Sequence, residues 1–411
     1  MESIDRGQAC HRRSRDAPTA LSRRAVLATA TTGLASFAPG ATSMSDWAAI
    51  ERAARGRPVF WNAWAGDDRI NAFIAWSAER LRVSHDIAVR HVRLRDPTEA
   101  LARLGAGKVG ARASGSGIDL IWLNDPGLLS PGQRNLLCGL VPGGLPNAIR
   151  LAPAGGPGPM DGPGIPWHMA RLVFVCDAAR VPDPPRSMAA IGAWAAAHPG
   201  RLAHPHPRHV LGAAFLGQAL CEFAPDPAAL RHTVADFEAM TAPFWRWYAA
   251  LQPMLWRRGT AFPETGSAQR ALLRETEIDI MVSFNPGEAS AAIASGLLPD
   301  TVRSFALDGG SIGHCSCNAI PSDAANKAPA LVLANFLLSP EAQARAADPS
   351  LLGIPSVLAP DRLAPADRAR FAALPPGRSM LSPAELGPAL PQPHPSWMVR
   401  LVESFERHFP I

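Results

Sequence analysis

Pro58-Val59-Phe60-Trp61-Asn62-Ala63-Trp64-Ala65-Gly66-Asp67 passes from a short apolar run into a glycine and a helix-capping acid. The run reads as a buried strand, and Asp67 then opens an amphipathic helix. In that helix Ile70, Phe73, Ile74 and Leu81 keep helical spacing, with Arg69, Glu79 and Arg80 on the outer face. Residues 87–94 alternate as a strand, Asp96-Pro97 starts a second helix that ends near Leu104, and Ile118-Asp119-Leu120-Ile121-Trp122-Leu123 is a continuous apolar strand. Strand and helix taking turns in this way need crossovers, so the unit is read as α/β with a parallel sheet.

Working outward, the Gly/Pro-rich segment 151–166 separates this unit from an apolar strand over 169–176. A second alternating unit follows, with a strand starting at 201–203, helices over 210–223 and 228–258, and a buried strand over 278–284. Asn285-Pro286-Gly287-Glu288 turns into a helix at 289–295; a strand at 302–307, an extended passage at 312–320 and a helix at 324–338 complete the pattern. Two α/β units joined by extended passages near 171–177 and 312–320 predict two lobes around a ligand cleft. Residues 56–170 form the first part of lobe 1, 171–311 form lobe 2, and 312–411 return through the hinge to C-terminal helices placed mainly on lobe 1. Ligands in such folds bind where strand C-termini face each other. The residues singled out are therefore Trp61 to Gly66, Asn124-Asp125 and Phe284 to Glu288.

Composition narrows the class. The chain has 411 residues, 47% of them hydrophobic, which is a globular balance with ample material for a core. Its formal charge is +5, but the only lysines are Lys108 and Lys327 and no basic stripe interleaved with aromatics follows residue 25, so nucleic acid is not expected as a partner. Residues 1–24 hold Arg6, Arg12, Arg13, Arg15, Arg23 and Arg24 against Glu2, Asp5 and Asp16, and 25–37 are uncharged and mildly apolar. This is the tripartite pattern of an export leader, taken as residues 1–41, and Ser22-Arg23-Arg24-Ala25-Val26-Leu27 resembles the twin-arginine signal. A periplasmic location is the expectation, with the export machinery as the leader's partner. Cys138, Cys176, Cys221, Cys315 and Cys317 lie beyond the leader; an odd count at irregular spacing predicts at least one free thiol rather than a disulfide framework.

Several motifs compete for the chemistry. Gly105-Ala106-Gly107-Lys108-Val109-Gly110 matches G-x-G-x-x-G, yet a helix precedes it and a loop follows, the reverse of a dinucleotide site. Gly309-Gly310-Ser311-Ile312-Gly313 matches the nucleophile elbow, so a periplasmic serine hydrolase centred on Ser311 is one alternative; the extended segment behind it favours a turn into a hinge strand. His198, His204, His206 and His209 crowd around Pro205 and Pro207, and a metal carrier using His204 and His206 is another alternative, though no carboxylate or thiol completes a ligand set. Tyr248 is the only tyrosine, which excludes a paired-phenolate iron site, while Trp61, Trp64, Trp122 and Trp167 lie in or near strand ends or the linker, where an indole stacks on flat or cationic ligands or, for Trp122 above all, packs in the core. Asn285-Pro286-Gly287-Glu288 offers a helix start and a carboxylate just after a strand.

Ser283-Phe284-Asn285-Pro286-Gly287-Glu288-Ala289-Ser290-Ala291-Ala292-Ile293-Ala294, Gly296-Leu297-Leu298-Pro299, the 60–66 and 118–124 runs and Ala261-Phe262-Pro263 resemble the YnjB-type solute-binding proteins of ABC importers. The tail over 333–343 is similar to the wider class that includes thiamine, polyamine and iron binders, and the resemblance covers about residues 58–371. It implies a type II periplasmic binding fold, two α/β lobes joined by hinge strands, that closes on a small solute and presents both lobes to a membrane permease. Trp167-His168 stands where relatives tend to have Trp-Gly. The expected function is thus non-enzymatic capture, without a cofactor or metal, of a small solute such as a thiamine-like organic cation. The ligand-binding candidates are Trp61, Asn62, Trp64, Asn124, Trp167, Phe284, Asn285 and Glu288.

Overall fold

The computed structural model describes residues 44–94, 98–105, 117–124, 129, 131–138, 144–152 and 164–409. The leader, Asp96-Pro97, Asp125, positions 106–110 of the glycine-rich match and most of the 151–166 linker lie outside them.

The first lobe starts with helix α1 (Met44–Ala54), strand β1 (Pro58–Trp64), α2 (Asp68–His85), β2 (Ala88–Leu94), α3 (Thr98–Gly105), β3 (Leu120–Leu123) and α4 (Pro131–Asn135). β1 pairs in parallel with β2 and β3, as the alternation of strand and helix requires. α2 begins where the sequence places it, because the Asp67 side chain accepts the backbone N–H of Arg69 at 2.8 Å and satisfies a donor that no helical carbonyl reaches. Its buried stripe of Ile70, Phe73, Ile74 and Leu81 packs under the sheet with Trp61, Trp122 and Trp167.

The apolar run 169–176 divides at Leu172 into two strands, β4 (Ile165–Arg171) and β5 (Val173–Asp177), that belong to different sheets. The second lobe continues with α5 (Met188–Ala197), α6 (Val210–Phe223), α7 (Phe237–Leu251), α8 (Gly266–Arg274), β6 (Ile280–Ser283), α9 (Glu288–Ala294) and β7 (Val302–Phe305). Its sheet has the order β6-β5-β7, with β5 antiparallel to both neighbours. The strand expected at 201–203 is reduced to bridges from Leu202 to Leu255 and Ile280. The chain returns through β8 (Ser311–Ala319), which is antiparallel to β3 and β4 and completes the first sheet in the order β2-β1-β3-β8-β4. β8 is the second hinge passage: Leu172 N–H donates to the Ile312 carbonyl at 2.9 Å, and Gln218 of α6 accepts from Ile312 N–H at 2.8 Å.

Then come α10 (Lys327–Leu337), α11 (Pro340–Ala347), α12 (Pro365–Ala372), α13 (Pro383–Leu386), β9 (Ala389–Leu390) and α14 (Pro395–His408). α10 packs on the first sheet, whereas α14 packs elsewhere. Trp397, Leu401 and Phe405, one turn apart on one face, enter the core of the second lobe beside Phe215, Phe244 and Tyr248. Among the described residues no helix is long and apolar enough to cross a membrane. The five described cysteines are all free thiols, and burial pushes Cys176 up to about 12.

Candidate functional site

Asp67 and Arg69, just after β1, and Glu288, just after β6, with Arg270 of α8, form two ion pairs on opposite lobes. Asp67 meets Arg69 at 2.8 Å on the first lobe, and Glu288 meets Arg270 at 2.8 Å on the second. The four side chains are only 11 to 19% exposed. Burial acts to raise the Asp67 carboxyl, but the bonds and charge of Arg69, with Arg270 adding from across the cleft, hold it below its usual value. Burial likewise acts to lower Arg69, and Asp67, helped by Glu288 on the other lobe, outweighs it. The lobes therefore face each other with alternating charge and no net surplus at this edge.

The same opening exposes a difference in how polar groups are treated on the first sheet. On β8, His314, Ser316 and Asn318 recur every second residue and so share one face; they are 5%, 0% and 0% exposed. Trp122 sits opposite Asn318 in the register, and His168 opposite Ser316. A bulge between Pro166 and His168 places the extra residue, Trp167, edge-on against Trp122 with ring centroids 4.6 Å apart, while the His168 ring lies 5.1 Å from Trp167 and 5.7 Å from Trp122. Trp122 Nε1, Trp167 Nε1, His168 Nδ1, Ser316 Oγ and Asn318 Nδ2 are all buried without a hydrogen-bond partner among the described residues. A native fold pairs nearly all such groups, and each one left unmade costs about 1–3 kcal/mol. The five lie on three adjacent strands, β3, β8 and β4. Burial pushes His168 down to about 3, with His314 nearby adding, and His314 down to about 4, so both rings are neutral at neutral pH.

The expected site residues divide into three groups. Trp64 and Phe284 remain partly accessible: Trp64 stands edge-on to Trp122 at 6.5 Å, and Phe284 stacks on His314 at 5.0 Å. Gly66 is demanded here, since a Cβ on it would lie 2.5 Å from the Trp64 indole. Trp167 belongs to the unpaired stripe, and Asn124 follows directly on β3. The others have structural duties. Trp61 is fully buried and donates to Asn318 Oδ1 at 3.0 Å, because β1 lies between two strands and under α2. Asn62 is buried on the opposite face of the sheet, level with Ile121; its Nδ2 donates to the Phe60 carbonyl at 3.5 Å and its Oδ1 has no partner among the described residues. Asn285 fastens the lobes together, its Nδ2 donating to the Leu352 carbonyl at 2.8 Å, and Gly287 packs so tightly on Gly353 that a Cβ would fall 2.2 Å from its carbonyl oxygen. Glu288, expected to meet a cation, instead takes Arg270 and the Ser283 hydroxyl.

The competing motifs are also placed. Ser311 is fully buried at the start of a strand, where it accepts from Arg171 Nε at 3.0 Å. His204 engages both ring nitrogens, with the Pro205 carbonyl at 2.7 Å and the Tyr248 hydroxyl at 2.9 Å. His206 Nδ1 accepts from Arg208 N–H and His209 caps α6.

Two lobes, each with its own sheet, joined by crossing strands, have the architecture of the hinged type II periplasmic binding class. The bacterial extracellular solute-binding protein family matches residues 83–364, and the chain belongs to that family, the substrate-binding components of ABC importers. It is 36% identical over 381 residues to Protein YnjB of Escherichia coli (strain K12), covering 91% of this chain and 96% of that one. Solved structures share the fold at low identity. The periplasmic binding protein AfuA of Actinobacillus pleuropneumoniae, with fructose-6-phosphate bound, superposes with a TM-score of 0.61 at 12% identity, covering 86% of this chain and 99% of that one. The PotD lipoprotein of Treponema pallidum gives 0.61 at 14%, with the same coverage. Iron-bound HitA of Pseudomonas aeruginosa gives 0.58 at 15%, again covering 86% and 99%.

Proposed function

We propose that the chain is exported by its leader to the periplasm, encloses one small solute between its lobes and hands it to the permease without altering it. The solute lies against the stripe of Trp122, Trp167, His168, Ser316 and Asn318, with Trp64, Asn124 and Phe284 at its margin. The Asp67–Arg69 and Glu288–Arg270 pairs meet over it. The observation that carries this reading is the cluster of unpaired buried groups on β3, β8 and β4, beside the partly accessible Trp64 and Phe284. Closure couples binding to delivery, because a solute that touches both lobes favours the closed arrangement over the open one.

An organic cation of the thiamine type now has less support than the sequence lends it. Both carboxylates at the cleft, Asp67 and Glu288, are matched by guanidinium groups. Hydrolysis at Ser311 has less still, since that hydroxyl is buried under Arg171. The test is mass spectrometry of the compound released from protein purified out of the periplasm, followed by a thermal-shift series. A solute at 100 times its Kd should add about 2.7 kcal/mol of stability. Protein that emerges intact from the cytoplasmic fraction alone, or that no released compound stabilises, counts against the proposal.

A further inference from the structure

We infer that the solute presents an oxyanion group, a carboxylate or a phosphoryl or sulfonyl oxygen cluster, to the stripe of Trp122, Trp167, His168, Ser316 and Asn318. The inference rests on reading the cleft as a solute site, and it names what the solute carries there.

The chemistry follows from which partners are missing. An indole N–H can only donate, so Trp122 Nε1 and Trp167 Nε1 both require acceptors. Asn318 has an acceptor, but Trp61 Nε1 occupies it at 3.0 Å, and what remains is its Nδ2 donor. Three of the five unpaired atoms are therefore donors without choice, while His168 Nδ1 and Ser316 Oγ can each donate as required. No obligate acceptor stands among the five. An ammonium group would bring only more hydrogens to a place already full of them, and a polyol hydroxyl, though it accepts, brings a hydrogen of its own with each oxygen. An oxyanion brings only lone pairs, takes several donors at once, and makes the stronger, charge-assisted bonds.

Formal charge agrees with this. The two cleft carboxylates are each matched by a guanidinium. Three residues beyond His168 on β4, Arg171 is 9% exposed and donates to Ser311 Oγ and to the carbonyls of Leu386, Gly387 and Pro388. Among the described residues it has no carboxylate partner. The surplus charge next to the stripe is positive, which suits an anion and opposes a cation.

The experiment titrates the full mature chain with inorganic phosphate, sulfate, malate and citrate, and with spermidine, thiamine and glucose as the contrasting set. Calorimetry reads affinity, and ¹⁵N-indole NMR, assigned with Trp122→Phe and Trp167→Phe, reads the two N–H groups. At least one of the four oxyanions should bind and move both indole resonances downfield. Trp122→Phe keeps a ring in place while removing the N–H, and should weaken that binding about tenfold or more. The inference is overturned if none of the four oxyanions moves either indole, or if both variants bind them as tightly as the parent. Binding of spermidine, thiamine or glucose in place of the oxyanions would overturn the inference and leave the solute-binding reading intact. If neither set binds and no compound released from native protein rebinds, both fall together.

Discussion

His168 and His204 are both buried among aromatic rings, one in each lobe, and the fold treats them differently. His204 stacks on Phe215 at 4.4 Å, and both of its nitrogens are engaged, by the Pro205 carbonyl and the Tyr248 hydroxyl. His168 sits against Trp122 and Trp167, and its Nδ1 has no partner among the described residues. A group that serves only packing is most often satisfied within the core, because an unmade bond there is pure loss, although Trp247 Nε1 in the second lobe is also left without a partner among the described residues. On the proposed reading, a group left unmade beside four others is where a solute completes the network. The proposal thus makes the second lobe's histidine mortar and the first lobe's part of the site.

The largest effect that would sharpen this contrast is acid sensitivity. Burial holds His168 at about 3 and His204 and His314 at about 4, against a usual 6.5. Their folded values are depressed, so the unfolded chain takes up protons first as pH falls. Stability should be level above pH 7 and decline from about 6.5 toward 4, by on the order of 1 kcal/mol per pH unit for each histidine. Denaturant titrations across that range check it; a flat profile would mean that the rings are not buried in solution. Next comes His204→Ala, which opens a cavity and strands the Tyr248 hydroxyl. It should cost about 3 kcal/mol by the same measurement, with solute affinity of the folded fraction unchanged. Tyr248→Phe removes one bond to His204 and should cost about 1 kcal/mol. The smallest stability change is expected for His168→Gln, within about 0.5 kcal/mol, because no bond is lost, but solute affinity should fall about tenfold. A large stability loss at His168 with affinity unchanged would erase the distinction between the two residues.

Much of this arrangement was legible in the sequence. The run 58–67 specifies strand, turn and cap, since each of its residues has a local reason to be there, and β1 and α2 form where it predicts. The resemblance carried by residues 283–299 led to the right family. Where the sequence fell short, tertiary context decides. Nothing in the apolar run 169–176 says that it changes sheets at Leu172, because an apolar residue is equally content in either core. Trp61 looks like a stacking surface by its position near a strand end, yet its indole is turned into the core, where its N–H is already taken by Asn318 Oδ1. The helix α14 carries an apolar stripe that fits whichever lobe offers a groove, and the pattern cannot choose between them. One signal was present and went unused. His314, Ser316 and Asn318 place polar groups at every second position of a strand whose other residues are small or apolar, and a buried strand with a polar face needs a polar partner. Arg270 gave no such warning, because an arginine on an amphipathic helix reads as surface.

The most direct test of the central claim is a crystal structure of the protein carrying the compound with which it is purified from the periplasm. The account predicts a small molecule enclosed between the lobes, with an oxygen accepting hydrogen bonds from Trp122 Nε1 and Trp167 Nε1 and the Asp67–Arg69 and Glu288–Arg270 pairs closed over it. A bound compound lying elsewhere, with those indole N–H groups still unpaired or satisfied by water alone, would contradict it.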